Sequence, residues 1–163
     1  MTAQITELEK ILGQIIAEHR TLLAALELHL GSLRTLKFEG VQQAVTAIEQ
    51  SRTRIVLHDA KRRLVMQQLT RLYKLPADAS LSDVAAVLPQ HKPSLMKLRD
   101  QLKQITASIA NKTTVSSRVA GAMLGHLNTV VRLVAGAVQQ ASVYTRQGVP
   151  TVSGRIGMME AVG

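Results

Sequence analysis

The sequence predicts an all-α fold: a long antiparallel helical hairpin or coiled-coil bundle of three long helices, one short helix and a flexible C-terminal tail. Aliphatic residues recur every three or four positions over long stretches, which is the spacing of one helix face. Aromatic residues make up only 2% of the 163 residues although 46% are hydrophobic, and an aliphatic core suits helix packing better than a β-sandwich. Glycine and proline interrupt the pattern at a few points. The length suggests a single helical domain over residues 1–144.

The first predicted helix covers about residues 4–37. Its apolar seam repeats at intervals of three and four residues, with two histidines among the ten positions: Ile5, Leu8, Leu12, Ile15, His19, Leu22, Leu26, His29, Leu33 and Leu36. A helix of this length needs another long helix to cover the seam, from the same chain or from a second copy in a homodimer. Phe38-Glu39-Gly40 interrupts the pattern, and we expect the glycine to break the helix.

The second predicted helix covers about 41–74 and ends before Pro76. A short helix at 82–88 follows, with Ser82 as the expected N-cap, and stops before Pro89. The last helix covers about 93–144, weakened near Asn111 and then resumed. Glycine and proline recur from 145 to 163, which predicts a flexible tail there.

The charge is uneven along the chain. The net charge is +9, yet residues 1–50 hold four basic and six acidic side chains. Seven cations occur between residues 52 and 74, and a helix bearing them could follow nucleic-acid phosphates: Arg52, Arg54, Lys61, Arg62, Arg63, Arg71 and Lys74. Apart from Tyr73 near the end of the segment, no aromatic residue is interleaved for base stacking, so we expect a solvated face partly paired with glutamates of the first helix, and no nucleic-acid partner. A basic nucleic-acid-binding protein and a plain coiled-coil adaptor remain the alternative functions.

The sequence shows no constellation that points to catalysis, a metal or a cofactor. There is no cysteine, the five histidines have no metal-ligand spacing, and no phosphate-binding or nucleophile motif occurs. His19 and His29 lie on the seam, where a polar residue usually fixes helix register. We therefore expect no enzyme and no bound cofactor. The first ten residues contain two glutamates and no apolar core of a signal peptide, so a cytoplasmic location is expected.

The last helix carries its own aliphatic stripe. Its members follow one helical face, in order Val119, Met123, Leu127, Val130, Val134 and Val138. The segment could cross a membrane by length, but His126, Asn128 and Arg132 would be costly in hydrocarbon, so no membrane span is expected. Two possibilities remain: the stripe packs in the core, or it docks a partner helix. Gly121, Gly125 and Gly136 each weaken the helix, which fits a segment that is stable only when packed or bound.

The order of these parts resembles the FlgN family of flagellar export chaperones. The resemblance is carried by the heptad helix ILGQIIAEHRTLLAALELHLGSL, the interruption KFEGVQQAV, the short helix SLSDVAAVLP, the helix LMKLRDQLKQITASIANKTTV and the ending VYTRQG. It implies a cytoplasmic, ATP-independent chaperone of flagellar type III secretion. Such a chaperone binds hook-associated (hook–filament junction) proteins, prevents their premature assembly and brings them to the export apparatus. The family's binding region maps onto the stripe and Tyr144.

Overall fold

The computed structural model describes the backbone of residues 2–143 and the side chains of residues 3–136. That part of the chain consists of four α-helices without any strand: α1 (Thr2–Arg34), α2 (Phe38–Leu72), α3 (Leu81–Ala86) and α4 (Lys92–Val143). The all-α class with four helices is confirmed. The predicted tail, 145–163, lies outside the described residues.

Contacts divide the chain into two compact units, Met1–Ala120 and Gly121–Gly163. We call them the first unit and the second unit and describe each by itself. The expected single domain over residues 1–144 stays a prediction.

The periodic residues of α1 form the core of the first unit. Six of the ten seam positions are buried: Ile5, Leu8, Leu12, Ile15, Leu22 and Leu26. The seam prediction is wrong at Leu36, whose side chain is 63% exposed. The cause lies in the backbone, because α1 has ended by Arg34 and Leu36 adopts a left-handed conformation with φ 55°. The Lys37 N–H then donates to the Ser32 carbonyl at 2.9 Å, which is the hydrogen bond of a Schellman cap.

Gly40 does not break the helix as expected. It lies inside the first turn of α2, which begins at Phe38. Its role is steric, since a methyl group placed on Gly40 would overlap the Ser32 side chain of α1. The chain turns at residues 35–37 instead.

α1 and α2 run antiparallel. Gly40 approaches Ser32 at the turn, and Arg54 Nε donates to Glu18 Oε2 at 2.9 Å halfway along. At the far end Met66 and Leu69 join Ile5 and Leu8 in one buried cluster. Each step forward along α2 is thus a step back along α1.

α3 closes the open end of this hairpin. Its N-cap is Ser80 rather than the expected Ser82: Ser80 Oγ accepts from the Asp83 N–H, and the Asp83 carboxylate accepts from the Ser80 N–H at 2.8 Å. The Ser80 hydroxyl also donates to the Asp83 carboxylate at 2.8 Å, and this hydrogen bond, together with the one from the Ser80 N–H, lowers the pKa of Asp83. The reciprocal pair is a capping box, and it directs Val84 and Ala85 into the buried cluster.

The first part of α4 runs parallel to α1. Glu9 faces His91 at 3.4 Å, and Glu27 pairs with Lys112 at 3.1 Å. Leu95 at the start of α4 is fully buried in the same cluster as α1, α2 and α3. Three long helices therefore share one core in the first unit.

Candidate partner-binding surface

The aliphatic stripe of the second unit lies on one face of α4. Met123, Leu127, Val130 and Val134 follow one another at intervals of four, three and four residues, so their side chains share a face. Leu127, Val130 and Val134 are 53%, 54% and 57% exposed, and Met123 is half-buried. This face is apolar and faces solvent over three helical turns.

The other residues predicted for this surface are placed differently. Val119 is half-buried near the end of the first unit. The side chain of Val138 and the whole of Tyr144 lie outside the described residues. The assignment of all seven residues to partner binding stays a prediction.

Three exposed aliphatic residues were missed by the single-stripe interpretation. Leu124, Val131 and Leu133 are each more than 60% exposed. Leu124 and Val131 are seven residues apart, each one position after a stripe member, so they widen the apolar face on one side. The signal was present in the sequence, since both positions keep the heptad interval.

The opposite side of this helix is small and polar. Its residues are Gly121, Gly125, Asn128, Arg132 and Gly136, again at helical spacing. A Cβ atom built on any of the three glycines would meet nothing within 4 Å. These glycines therefore weaken the helix without permitting any close contact within the described residues.

Part of α4 is long and apolar enough to cross a membrane by length and composition alone. The segment Lys92–Gly136 contains a stretch with mean hydropathy 1.2, none of it buried. His126, Asn128 and Arg132 lie in the segment and would be costly in hydrocarbon. The expectation of no membrane span stays a prediction.

The basic segment of α2, residues 52–74, is partly paired. Arg54 bonds Glu18 of α1, as expected for a face paired with the first helix. Asp59 holds both Arg62 and Arg63, at 2.7 and 2.8 Å. Burial raises the pKa of Asp59, but the hydrogen bonds and positive charges of the two arginines outweigh it and leave the pKa below its usual value.

The two histidines of the α1 seam each make a hydrogen bond through Nδ1. His29 Nδ1 lies 2.7 Å from Ser116 Oγ, which joins α1 to α4 through a buried serine. His19 Nδ1 lies 2.7 Å from the Ile15 carbonyl in its own helix. Among the described residues no three His, Cys, Asp or Glu side chains are grouped closely enough to hold a metal ion.

A cavity of about 330 Å³ lies among α1, α2, α3 and α4 in the first unit. Aliphatic side chains line it together with a polar rim, in chain order Leu12, Ile15, His19, Asp59, Arg62, Met66, Leu81, Arg99, Leu102, Lys103 and Thr106. Asp59 is its one carboxylate, and the arginine pair above already holds it. The cavity thus offers no free acid–base pair.

Comparison with known proteins gives one positive result. A family model described as FlgN protein matches residues 1–151, which is most of the chain. No curated protein matches, and no solved structure matches either.

Proposed function

The chain belongs to the FlgN family of flagellar export chaperones, and on this premise we propose that it binds hook–filament junction proteins in the cytoplasm. It would keep them soluble and unassembled and bring them to the type III export apparatus. The proposed contact surface consists of the six residues of the stripe predicted from the sequence together with one tyrosine that follows them: Val119, Met123, Leu127, Val130, Val134, Val138 and Tyr144.

The observation that supports this proposal is the exposure of the stripe. Val130 and Val134 are more than half exposed on a helix whose opposite face is polar. Each buried aliphatic side chain contributes about 1.5–3 kcal/mol when it leaves water. An amphipathic client helix laid along this face would cover it and hide its own apolar face in return.

The composition of the helix fits reversible binding. Met123 supplies a flexible side chain that adapts to different client surfaces. Gly121 and Gly125 weaken the free helix by about 1 kcal/mol each relative to alanine. Part of the binding free energy would then be spent on ordering the helix, which favours release at the export apparatus without ATP.

The two rival functions use other features. A nucleic-acid-binding protein would rely on the basic segment of α2, and its affinity would fall steeply with salt in a gel-shift titration. A coiled-coil adaptor would need the helices but not an exposed, glycine-weakened stripe. Size-exclusion chromatography with and without junction proteins separates the adaptor from the chaperone.

The central experiment replaces Val130 and Val134 by aspartate and measures co-purification with a hook–filament junction protein. We expect at least a tenfold loss of bound client. The matched control is Asn128→Asp with Thr129→Asp, which adds two carboxylates to the same turns outside the stripe. Circular dichroism checks that helical content is equal in both variants. Unchanged client binding by Val130→Asp/Val134→Asp at equal helical content would overturn the proposal.

A further inference from the structure

The outer face of α2 carries exposed aliphatic residues that no contact in the described structure explains. The helix buries its inner side, with Ala44, Ser51, Met66 and Leu69. On the other side Val56 is 69% exposed, Leu57 56% and Leu64 60%. Leu57, Ala60 and Leu64 follow at intervals of three and four, with Val56 beside them, so the four form one patch.

Cations surround this patch. Arg52 and Arg63 are mostly exposed although they also pair with Glu49 and Asp59. Lys61 and Arg71 are exposed, and neither makes an ion pair within the described residues. Between Glu49 and Asp78 the one acidic residue is Asp59, which Arg62 and Arg63 hold. The outer face is therefore aliphatic in the middle and positive at its edges.

We propose that the outer face of α2 docks on an anionic lipid surface. An amphipathic helix with aliphatic residues between lysines and arginines lies in a membrane interface, with its apolar side chains at the acyl boundary and its cations among the headgroups. Val56, Leu57 and Leu64 would enter the boundary, while Arg52, Lys61, Arg63 and Arg71 would meet anionic headgroups. This charge complementarity does not involve α4 or client binding.

Other partners suit the face less well. Nucleic acid would engage the cations and leave Val56, Leu57 and Leu64 in water. A protein helix packed on the aliphatic row would need carboxylates placed to match Lys61 and Arg71. An anionic lipid surface supplies negative charge all along the face.

The test measures co-sedimentation of the full chain with vesicles of phosphatidylcholine alone or mixed with phosphatidylglycerol. We expect binding to the anionic vesicles that weakens as salt increases. Lys61→Gln/Arg71→Gln removes two cations without breaking an ion pair. Its vesicle partition coefficient should fall about 25-fold, at about fivefold for each cation. The control Lys97→Gln/Arg118→Gln makes the same change in net charge at exposed positions elsewhere and should lose much less.

The aliphatic residues are tested independently. Leu57→Ser/Leu64→Ser should also weaken binding to anionic vesicles, because the charges remain but the apolar anchor is lost. The chain has no cysteine, so Ala60→Cys accepts a single environment-sensitive fluorophore at the centre of the patch. Its emission should shift to the blue on vesicle addition, whereas a label at Thr21→Cys, exposed on α1, should not change.

Several results would overturn the proposal. They include no binding to anionic vesicles, equal losses in the glutamine variant and its control, and an unchanged fluorophore at residue 60. Binding that survives Lys61→Gln/Arg71→Gln unchanged would place lipid contact on another surface. The outer face of α2 would instead bind nucleic acid if two results were found together. Duplex DNA binding would depend on Lys61 and Arg71, and Leu57→Ser/Leu64→Ser would leave vesicle binding intact. If the protein does not bind lipid but forms a dimer that Leu57→Ser/Leu64→Ser disrupts, the outer face of α2 binds a second copy of the chain.

Discussion

Gly40, in the first turn of α2, packs directly against Ser32, near the end of α1. A methyl group on Gly40 would overlap Ser32 Oγ and lie 3.2 Å from Ser32 Cβ. Ser32 is buried, and its carbonyl also accepts the Lys37 N–H that caps α1. The hairpin therefore closes at a point where one helix has no side chain and the other has a small one.

This contact predicts that Gly40→Ala destabilises the protein. Overpacking costs about 1–3 kcal/mol, which exceeds the gain of about 1 kcal/mol from helix propensity. The control is Gly13→Ala in α1, where the new Cβ meets nothing within 4 Å, and this variant should gain stability. Urea unfolding measures both. An increase in stability for Gly40→Ala as large as that of Gly13→Ala would show that the contact is not tight.

At Leu36 we expect a substitution to increase the stability of the protein, which is opposite to the effect expected at Gly40. Its φ of 55° is costly for a residue with a Cβ, by about 1–2 kcal/mol, and its exposed side chain contributes little burial. Leu36→Gly should therefore stabilise the protein by about 1 kcal/mol and raise the thermal midpoint by about 2–4 °C. Leu28→Gly, at an exposed leucine within α1, is the control and should lose about 1 kcal/mol. Equal losses in both variants would contradict a strained conformation at Leu36.

Gly40 and Leu36 also show which features of the hairpin cannot be predicted from the sequence. The heptad interval predicted the buried side of α1 and the existence of the long helices, because apolar side chains at that spacing must face a common core. The short helix was predicted from its serine cap and the proline that follows it. It could not locate the first turn, since a single left-handed residue such as Leu36 leaves no periodic trace. The glycine was noticed, but its role is a close helix contact rather than a break. The N-cap was misplaced because Ser80 and Ser82 are both of a residue type that caps helices, and only Ser80 has an acidic residue three positions later.

The candidate surface was predicted in part for a similar reason. Spacing defines which residues share a face, so Leu127, Val130 and Val134 were found together. It does not reveal how wide the apolar face is, and Leu124 and Val131 were missed. Spacing also does not show which faces stay exposed, because exposure depends on how the helices pack against one another. The aliphatic patch at Leu57 could be recognised only once the opposite side of α2 was seen to be buried.

Asp59 predicts a defined pH dependence of stability. Its pKa is lower in the folded protein than in the unfolded chain, because Arg62 and Arg63 outweigh the effect of burial. The carboxylate thus contributes stability above its unfolded pKa, and the contribution is lost as the pH falls through the lowered folded pKa. Asp59→Asn should cost about 0.5–1 kcal/mol at neutral pH and nothing once the wild-type carboxyl is protonated. Unfolding curves at several pH values measure the difference. A more stable Asn variant at neutral pH would mean that burial dominates.

The glycines of the second unit predict a link between helix stability and client affinity. Gly121 and Gly125 lie on the polar side of α4, away from the stripe, and the space beside each is open. Gly121→Ala/Gly125→Ala should therefore stabilise the helix by about 1 kcal/mol for each substitution. The helical content should rise while the apolar contacts stay the same. If binding has to order this helix, the double variant should bind a junction protein up to about 30-fold more tightly, mainly through slower dissociation. Circular dichroism and surface-immobilised kinetics give the two readouts. Higher helicity with unchanged affinity would show that the helix is already ordered before the client arrives, and that the glycines serve some purpose other than easing release.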